Sequence, residues 1–499
     1  MLLLGIDLGT SSIKVSVVDS SSQQCIASTQ YPETEVPIIS KETGWAEQSP
    51  DEWWKNVQEA ILKLNGLDKY DPKEIGAIGI AYQMHGLVCV DKDKNVLRNS
   101  IIWCDSRAVK LGDRAFKKIG YDKSLSRLLN SPGNFTASKL AWVKENEKDI
   151  YEKIDKIMLP GDFIAMQLTG DATTSIAALS EGIFWDFKKN KLSKDVFDYF
   201  DFDKKIIPDI QPVFASHGLL RKKVASNLGL REGIPVSYKA GDQPNNALSL
   251  NVLEPGEVAA TAGTSGVIYG VSDKLDYDKQ SRINSFAHVN YTEENPRIGI
   301  LLCINAAGIT NRWLKNNFAQ DEGYVKLNDL ASKIEAGSDG VFVIPFANGA
   351  ERMLGNRIIG AHVLNLDWNK HTTAHVYRAG QEAIAFAFRY GFDIMKKNGI
   401  KPSVIRAGKT NMFLSSVFKK AFANVTAVPL ELYNCDGSVG AALGAGIGAG
   451  VYKTPAEAFT KLEIAERVEP LQESIYNDGY QKWKAHLQSI ARMQEDLEA

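Results

Sequence analysis

The feature that most constrains this chain is a strand–turn–strand pattern that occurs twice. Leu2–Asp19 and Glu257–Asp273 each contain an apolar run, a Gly-Thr-Ser turn and a second apolar run, and the two turns lie about 250 residues apart in a chain of 499. Two chance hairpins would also explain the match, because these residue types are common in turns. A duplicated domain predicts a division into residues 1–246 and 247–499, with the last helices able to pack back on the first domain.

Each of the two turns is suited to binding an anion. Successive backbone N–H groups in glycine-rich turns form concavities that accept phosphate oxygens, and the Thr and Ser hydroxyls add donors. Two such turns that face each other across a cleft could clamp a triphosphate.

The remaining elements predict an α/β fold. Strands are expected at Leu2–Leu8, Ile13–Val18 and Cys25–Tyr31. A helix is expected to begin after Ser49, because a serine N-cap, a proline at the first helical position and a glutamate three residues after the cap are typical of helix starts. A later block contains a helix over His375–Lys397 and a strand over Ser403–Arg406, so strands and helices alternate to the end.

Composition excludes several classes of protein. The chain has 58 Lys+Arg, 60 Asp+Glu and a net charge of −2, so it has no basic excess for binding nucleic acid. No apolar run is long enough to span a membrane. The five cysteines form no Cys-x-x-Cys pair, which indicates a reducing, cytoplasmic location. We therefore expect no nucleic-acid or membrane partner, and we leave a homodimer open.

The N-terminal turn combines a carboxylate with hydroxyl and amine donors. Asp7 ends the first strand, and Thr10, Ser11, Ser12 and Lys14 follow it. Asp7 could hold Mg²⁺, which takes one or two carboxylates together with phosphate oxygens. An aspartate that only caps the turn explains the same residues equally well.

Three further segments place polar groups directly after predicted strands. Gln83-Met84-His85, Trp103 with Arg107, and Asp242-Gln243 occupy these positions. Ligands usually bind at the carboxyl ends of strands in such sheets. Asp242 is the best general-base candidate, and the aromatic face of Trp103 suits a sugar. A structural turn aspartate and a core tryptophan are the alternatives.

Two segments resemble nucleotide motifs without matching them. Gly408-Lys409-Thr410 looks like the end of a P-loop, but the opening glycine of that motif would fall at Ser403, inside a predicted strand. Residues 444–450 carry four alternating glycines inside a helical stretch, which predicts close helix packing. The turn at Gly408 follows a strand and precedes a helix, so it could form a surface that contacts the adenine ring.

Together these segments resemble the FGGY family of carbohydrate kinases across nearly the whole chain. The resemblance is carried by the residue 5–14 hairpin, the Gly-Trp-Ala-Glu-Gln stretch at 44–48, Gln-Met-His-Gly at 83–86, Gly241-Asp242, and Gly-Thr-Ser-Gly at 263–266. Residues 134–146 are similar to a family signature. The resemblance implies two actin-like, ribonuclease H-like domains that flank a deep cleft, with ATP and Mg²⁺ held mainly by the second domain and sugar mainly by the first.

The resemblance also implies roles for individual residues. Asp242 would be the catalytic base, and Asp7 would organise the metal and the phosphates. The implied sugar contacts are Gln83, Met84, His85, Trp103, Arg107 and Gln243. The implied nucleotide contacts are Thr10, Ser11, Ser12, Lys14, Gly263, Thr264, Gly308, Gly408 and Asn411. The chain departs from the family pattern at Gln243-Pro244 and in the loop Ala407–Thr410.

The implied activity is ATP-dependent phosphorylation of a ketopentose, with D-xylulose, converted to its 5-phosphate, as the first expectation. Gln-Met-His-Gly favours this substrate, because the corresponding segment differs in kinases that act on glycerol or gluconate. Another sugar or polyol kinase of the family, such as one acting on ribulose or gluconate, is one alternative. A non-catalytic actin-like ATPase or sugar sensor is an alternative from a different class.

Overall fold

The computed structural model describes residues 1–349, 351–471 and 474–498. In chain order, the strands are β1 Leu2–Leu8, β2 Ile13–Asp19, β3 Cys25–Tyr31, β4 Glu47–Gln48, β5 Ile75–Tyr82, β6 Val88–Val90, β7 Ser100–Ile101, β8 Lys156–Met158, β9 Thr173–Thr174, β10 Trp185–Asp186, β11 Lys191–Leu192, β12 Asp209–Ile210, β13 Val236–Gly241, β14 Glu257–Ala262, β15 Gly266–Ser272, β16 Asn284–Ala287, β17 Ile298–Ile304, β18 Phe342–Phe346, β19 Gly360–Leu364, β20 Val404–Gly408, β21 Leu430–Tyr433 and β22 Ile464–Val468.

The helices, in the same order, are α1 Pro50–Asn65, α2 Val109–Ile119, α3 Tyr121–Leu128, α4 Thr136–Asn146, α5 Lys148–Tyr151, α6 Pro160–Thr169, α7 Ile176–Glu181, α8 Lys194–Phe200, α9 Lys222–Leu228, α10 Asp242–Ser249, α11 Gly308–Phe318, α12 Tyr324–Ser332, α13 Thr373–Lys397, α14 Ser416–Thr426, α15 Gly437–Gly448 and α16 Ser474–Glu498.

Two large sheets share one strand arrangement. The first has the order β13-β5-β1-β2-β3, and the second has the order β16-β17-β15-β14-β20-β21-β22. In each, a Gly-Thr-Ser turn closes an antiparallel hairpin, a third antiparallel strand pairs with the hairpin's second strand, and two parallel strands continue the sheet from its first strand. The predicted α/β class and the predicted repeat of the hairpin are therefore confirmed.

Helix α1 has the N-cap and the buried apolar face that its sequence predicts. The Ser49 hydroxyl accepts a hydrogen bond from the backbone N–H of Glu52 at 3.3 Å, as the predicted N-cap requires. The stripe of apolar residues on this helix is fully buried against the first sheet. Its members are Trp53, Val57, Ala60, Ile61 and Leu64. Burying each large side chain contributes roughly 1.5–3 kcal/mol, so the stripe fixes which face of the helix meets the sheet.

Helix α15 comes from the second half of the chain but packs on the first sheet. A Cβ atom at Gly5 would lie 1.8 Å from the carbonyl oxygen of Ser438, and one at Gly448 would lie 1.8 Å from that of Ser237. Only glycine permits this approach between strand and helix. The close packing predicted for the glycines at 444–450 is confirmed for Gly444, Gly446 and Gly448 and is wrong for Gly450, which follows the helix and has no neighbouring atom within 4 Å of a built Cβ. Helix α16 contacts α13, α14 and β18 instead.

The structure divides one predicted helix. The sequence favours a continuous helix over Met412–Ala423, whereas a short 3₁₀ turn over Asn411–Leu414 precedes α14. The Ser415 hydroxyl accepts a hydrogen bond from the N–H of Phe418 at 3.3 Å, so a serine N-cap starts a new helix at this point. All five cysteines are free thiols. Within the described residues, no helix combines the length and apolar character needed to cross a membrane.

Candidate active site

Three parallel strands of the first sheet end side by side. Leu8, the last residue of β1, pairs with Tyr82 at the end of β5, and Tyr82 pairs with Gly241 at the end of β13. The segments that follow these strands therefore meet at one edge of the sheet. This edge brings together the predicted residues near Asp7, Gln83 and Asp242, as expected for the carboxyl ends of parallel strands.

Asp242 is the first residue of α10, directly after β13. Burial raises the pKa of its carboxyl group to about 7, and the negative charge of Asp7 adds to the increase, while hydrogen bonds from Gln243 oppose it. A carboxylate with a pKa near neutrality is well matched to accept a proton at physiological pH.

Asp7 lies against the start of α15. A Cβ atom at Gly437 would fall 2.2 Å from Oδ2 of Asp7, so the carboxylate contacts the backbone of the helix's first residue. Burial raises the pKa of Asp7 to about 6; the charge of Asp436 raises it further and that of Lys14 lowers it. Lys14 itself forms an ion pair with Asp436 at 2.9 Å. The Gly437 contact brings the second half of the chain to the sheet edge of the first half.

The hydroxyl turn of β1–β2 is tied to two predicted sugar contacts. The indole Nε1 of Trp103 donates to Oγ1 of Thr10 at 3.0 Å, and that hydroxyl donates to Oε1 of Gln83 at 3.3 Å. The side chain of Trp103 is 52% exposed, so its ring is free to meet a ligand. Ser12 accepts the N–H of Gly9 through its carbonyl at 3.1 Å, and Ser11 is exposed.

Met84 and His85 form the wall beside Asp242. A Cβ atom at Gly241 would lie 2.7 Å from Cγ of Met84, so Met84 packs on the residue before the proposed base. The imidazole of His85 contacts the Phe135 ring at a centroid distance of 4.9 Å. Burial, with the positive charges of Lys139 and Arg352, lowers the pKa of His85 to about 3, so the ring is neutral at physiological pH.

Arg107 has a different environment from the one its predicted role suggests. Its side chain is 1% exposed and forms ion pairs with Asp105 and Glu47, each at 2.7 Å. Its guanidinium also stacks on the ring of Trp45 at 3.8 Å. These contacts give Arg107 a structural role in the first half, and a direct sugar contact by this residue stays a prediction.

The second half contains a cavity of about 640 Å³ next to its own Gly-Thr-Ser turn. The predicted nucleotide residues Gly263, Thr264, Gly308 and Asn411 line it. The N–H of Gly308, the first residue of α11, donates to the carbonyl of Gly263 at 2.7 Å. A Cβ at position 308 would lie 2.4 Å from that carbonyl oxygen, so glycine lets the helix N-terminus approach the turn. Helix N-termini and glycine-rich turns both bind phosphate.

Gly408 and Lys409 lie outside this cavity. Gly408 ends β20, and the ammonium group of Lys409 forms an ion pair with Glu466 at 3.1 Å. Lys409 and Thr410 line a separate cavity of about 580 Å³. This arrangement agrees with the rejection of a P-loop, while an adenine contact at Gly408 stays a prediction.

Sequence reasoning missed three charged residues near the wall. Lys139 donates from Nζ to the carbonyl of His85 at 2.7 Å, and Glu181 accepts the backbone N–H of His85 at 2.6 Å. Arg352, from the second half, donates from Nε to the carbonyl of Ser281 at 2.8 Å. The family-like stretch at 134–146 contains Lys139 and was a usable signal, but no local pattern marks Glu181 or Arg352.

The carboxylates of the site suit Mg²⁺ only in part. In the part of the chain that the structure describes, no group of three or more His, Cys, Asp or Glu side chains could hold a metal ion. Asp7 and Asp242 are nevertheless two electrostatically coupled carboxylates. Oxygen ligands of this kind fit Mg²⁺ bound together with phosphate oxygens, and they do not fit a metal held by protein alone.

Comparisons with known proteins agree with this geometry. The family model described as the FGGY family of carbohydrate kinases matches with its N-terminal domain over residues 2–249 and its C-terminal domain over residues 258–451. A xylulose kinase of Haemophilus influenzae is 28% identical, covering 98% of this chain and 100% of the relative.

Solved structures match over the whole fold. A xylulose kinase from Rhodospirillum rubrum superposes with a TM-score of 0.87 at 24% identity, covering 99% of both chains. A gluconate kinase from Lactobacillus acidophilus gives the same TM-score at 22% identity, covering 98% of both chains. With the strand order repeated in both sheets, these matches confirm the predicted actin-like, ribonuclease H-like fold. Because kinases of two different substrates match equally well, the fold alone does not select the sugar.

Proposed function

The chain belongs to the FGGY family of carbohydrate kinases, and from this premise we propose that it transfers the γ-phosphoryl group of ATP to O5 of D-xylulose. The observation that carries the proposal is the partly buried carboxylate of Asp242, which shares one sheet edge with Asp7 and with the Met84–His85 wall. The names of the relatives, xylulose kinases over nearly the full length of the chain, support the choice of sugar.

Asp242 is the proposed general base. It would accept the proton of the sugar's terminal hydroxyl as that oxygen attacks the γ-phosphorus in line with the leaving oxygen. A pKa of about 7 supports this role, because the group is both partly ionised and basic near neutral pH. Phosphoryl transfer depends mainly on positioning and on stabilising charge, so no covalent intermediate is needed.

The phosphates of ATP would lie between the two Gly-Thr-Ser turns. Thr264 offers its hydroxyl group from the second half, and the turn at Thr10–Ser12 offers donors from the first. The N–H of Gly308 is already bonded to the carbonyl of Gly263, so Gly308 would support this turn rather than donate to phosphate. Asp7 would hold Mg²⁺, which supplies neutralisation of phosphate charge. We place the adenine in the 640 Å³ cavity near Asn411. On this proposal, residues 1–246 hold mainly sugar and residues 247–499 mainly nucleotide.

The sugar would be recognised by Met84 and His85, which form the wall of the site beside Asp242. The neutral imidazole of His85 can donate or accept one hydrogen bond, and Met84 offers an apolar surface. Gln243, which follows the base, would contact a hydroxyl near the reacting end. A site built to pair specific hydroxyl groups rejects a ligand that leaves its polar atoms unpaired.

An ADP-release assay with a sugar panel tests the proposal. At saturating ATP, we expect D-xylulose to give the highest kcat/KM, D-ribulose a lower but measurable value, and glycerol and gluconate poor values. ADP release that is indifferent to every sugar would instead indicate an actin-like ATPase. A higher value for gluconate or glycerol would overturn the substrate while leaving the kinase activity in place.

A further inference from the structure

Glu181 is a buried carboxyl group that the proposed reaction does not use. It is the last residue of α7, and its side chain is 3% exposed. Its Oε1 atom accepts the backbone N–H of His85 at 2.6 Å. A Cβ atom at Gly241, the residue before Asp242, would lie 3.0 Å from Oε2 of Glu181. Glu181 therefore contacts both the sugar wall and the backbone that carries the proposed base.

The peptide of His85 needs such support. His85 has φ = 62°, in the left-handed region that non-glycine residues seldom occupy. Its two peptide groups are held from opposite sides, with the N–H on Glu181 and the carbonyl on the ammonium group of Lys139 at 2.7 Å. Backbone conformations of this kind persist only where surrounding contacts hold them, and they concentrate at ligand sites.

The protonation of Glu181 suits it to this position. Burial raises the pKa of Glu181 well above its ordinary range, and the negative charge of Asp242 contributes to the increase, while the His85 N–H opposes it. This environment favours the protonated form, in which one oxygen accepts and the O–H can donate.

We propose that Glu181 is the positioning residue for sugar recognition: through its hydrogen bond to the His85 peptide and its contact at Gly241, it holds the imidazole and Met84 toward the substrate hydroxyls beside Asp242. This inference rests on the proposed function. It assigns to this chain a determinant of sugar affinity that acts through His85 and leaves the binding of ATP untouched.

The test separates the hydrogen bond to the His85 N–H from the other properties of the carboxyl group. Glu181→Gln keeps an oxygen that accepts the His85 N–H, and Glu181→Ala removes it. We expect the alanine variant to raise the sugar KM roughly ten-fold, because a buried N–H without a partner carries a penalty of that order. The ATP KM should change less than about two-fold, and the glutamine variant should stay within about three-fold of wild type for both substrates.

Glu382→Gln is the matched control. Glu382 is also buried, but it bonds Arg378 and Ser338 away from the sheet edge. We expect its substitution to leave the sugar KM unchanged. An alanine variant at 181 whose sugar KM equals that of this control would overturn the inference, as would a glutamine variant as impaired as the alanine variant.

Two further measurements keep the test decisive. If the alanine variant does not fold, Glu181→Asp replaces it, because the shorter side chain cannot reach the His85 N–H. A sugar KM that rises in Glu181→Asp but not in Glu181→Gln supports the inference. A sugar KM that rises in Glu181→Gln but not in Glu181→Asp overturns it. If wild type phosphorylates no sugar in the panel, the proposed function fails, and hydrogen exchange of the His85 amide decides the positioning role. Faster exchange in Glu181→Asp than in wild type and Glu181→Gln supports that role, and equal exchange in all three overturns it.

Discussion

Replacing Asp242 with asparagine should stop turnover and stabilise the fold at the same time. The substitution keeps the size of the side chain and removes the proposed base. General bases contribute about 10²–10⁴-fold to rate, so kcat should fall by at least that order while sugar and nucleotide still bind. The fall in kcat is expected of any essential base, and the gain in stability comes from this particular environment.

The size of the stability gain follows from the pKa of Asp242. Burial and the charge of Asp7 move it from its ordinary 3.8 to about 7 in the folded protein. A change of this size corresponds to a penalty of about 4 kcal/mol for ionising Asp242 in the folded state. The folded state then binds more protons than the unfolded state between these two values, so the penalty is absent below pH ~4, grows as the pH rises and is complete above pH ~7.

Asparagine has no charge and carries no such penalty. The midpoint of thermal unfolding of Asp242→Asn should therefore exceed that of wild type by more at pH 8 than at pH 5. Differential scanning fluorimetry at the two pH values measures the difference, and the exposed Asp93→Asn serves as the control that shows none. Equal midpoints at pH 8, or a variant that keeps most of its turnover, would refute the reasoning about this carboxylate.

Three further predictions concern the other parts of the site. Lys409→Ala should leave kcat nearly intact and weaken ATP binding modestly, because Lys409 pairs with Glu466; a severe loss of kcat would restore a P-loop role. His85→Ala should raise the sugar KM far more than the ATP KM in steady-state assays, and equal effects on both would contradict its place in the sugar wall. Sugar together with a non-hydrolysable ATP analogue should reduce the radius of gyration in X-ray scattering, because in-line transfer needs the two halves to close and exclude water. Identical scattering curves with and without these ligands would count against hinge motion.

Local signals in the sequence were enough to predict the scaffold. The repeated Gly-Thr-Ser turn indicated two equivalent hairpins, and the cap at Ser49 fixed the start of α1 because both depend on residues a few positions apart. Strand ends were equally informative. Parallel strands end at one edge, so placing Asp7 at the end of one strand and Gln83 and Asp242 directly after two others was sufficient to bring them together.

The parts that the sequence did not reveal depend on contacts between distant residues. Arg107 follows a strand, as a ligand-binding residue would, but its ion pair with Glu47 is formed across about 60 residues and was not apparent from either segment alone. Glu181 ends a short helix in a stretch with no motif, and its importance arises from burial beside His85, 96 residues away in sequence. Burial of this kind is a property of the packed protein rather than of any local pattern.

The most direct test of the central claim is to identify the product. Wild-type protein is incubated with ATP, Mg²⁺ and D-xylulose, and the phosphorylated sugar is analysed by phosphorus–proton correlation NMR. We predict one sugar phosphate per ADP formed, with the phosphorus coupled to the two hydrogens on C5, and none with Asp242→Asn. ADP that forms without a sugar phosphate, or phosphate attached at another carbon, would contradict the account.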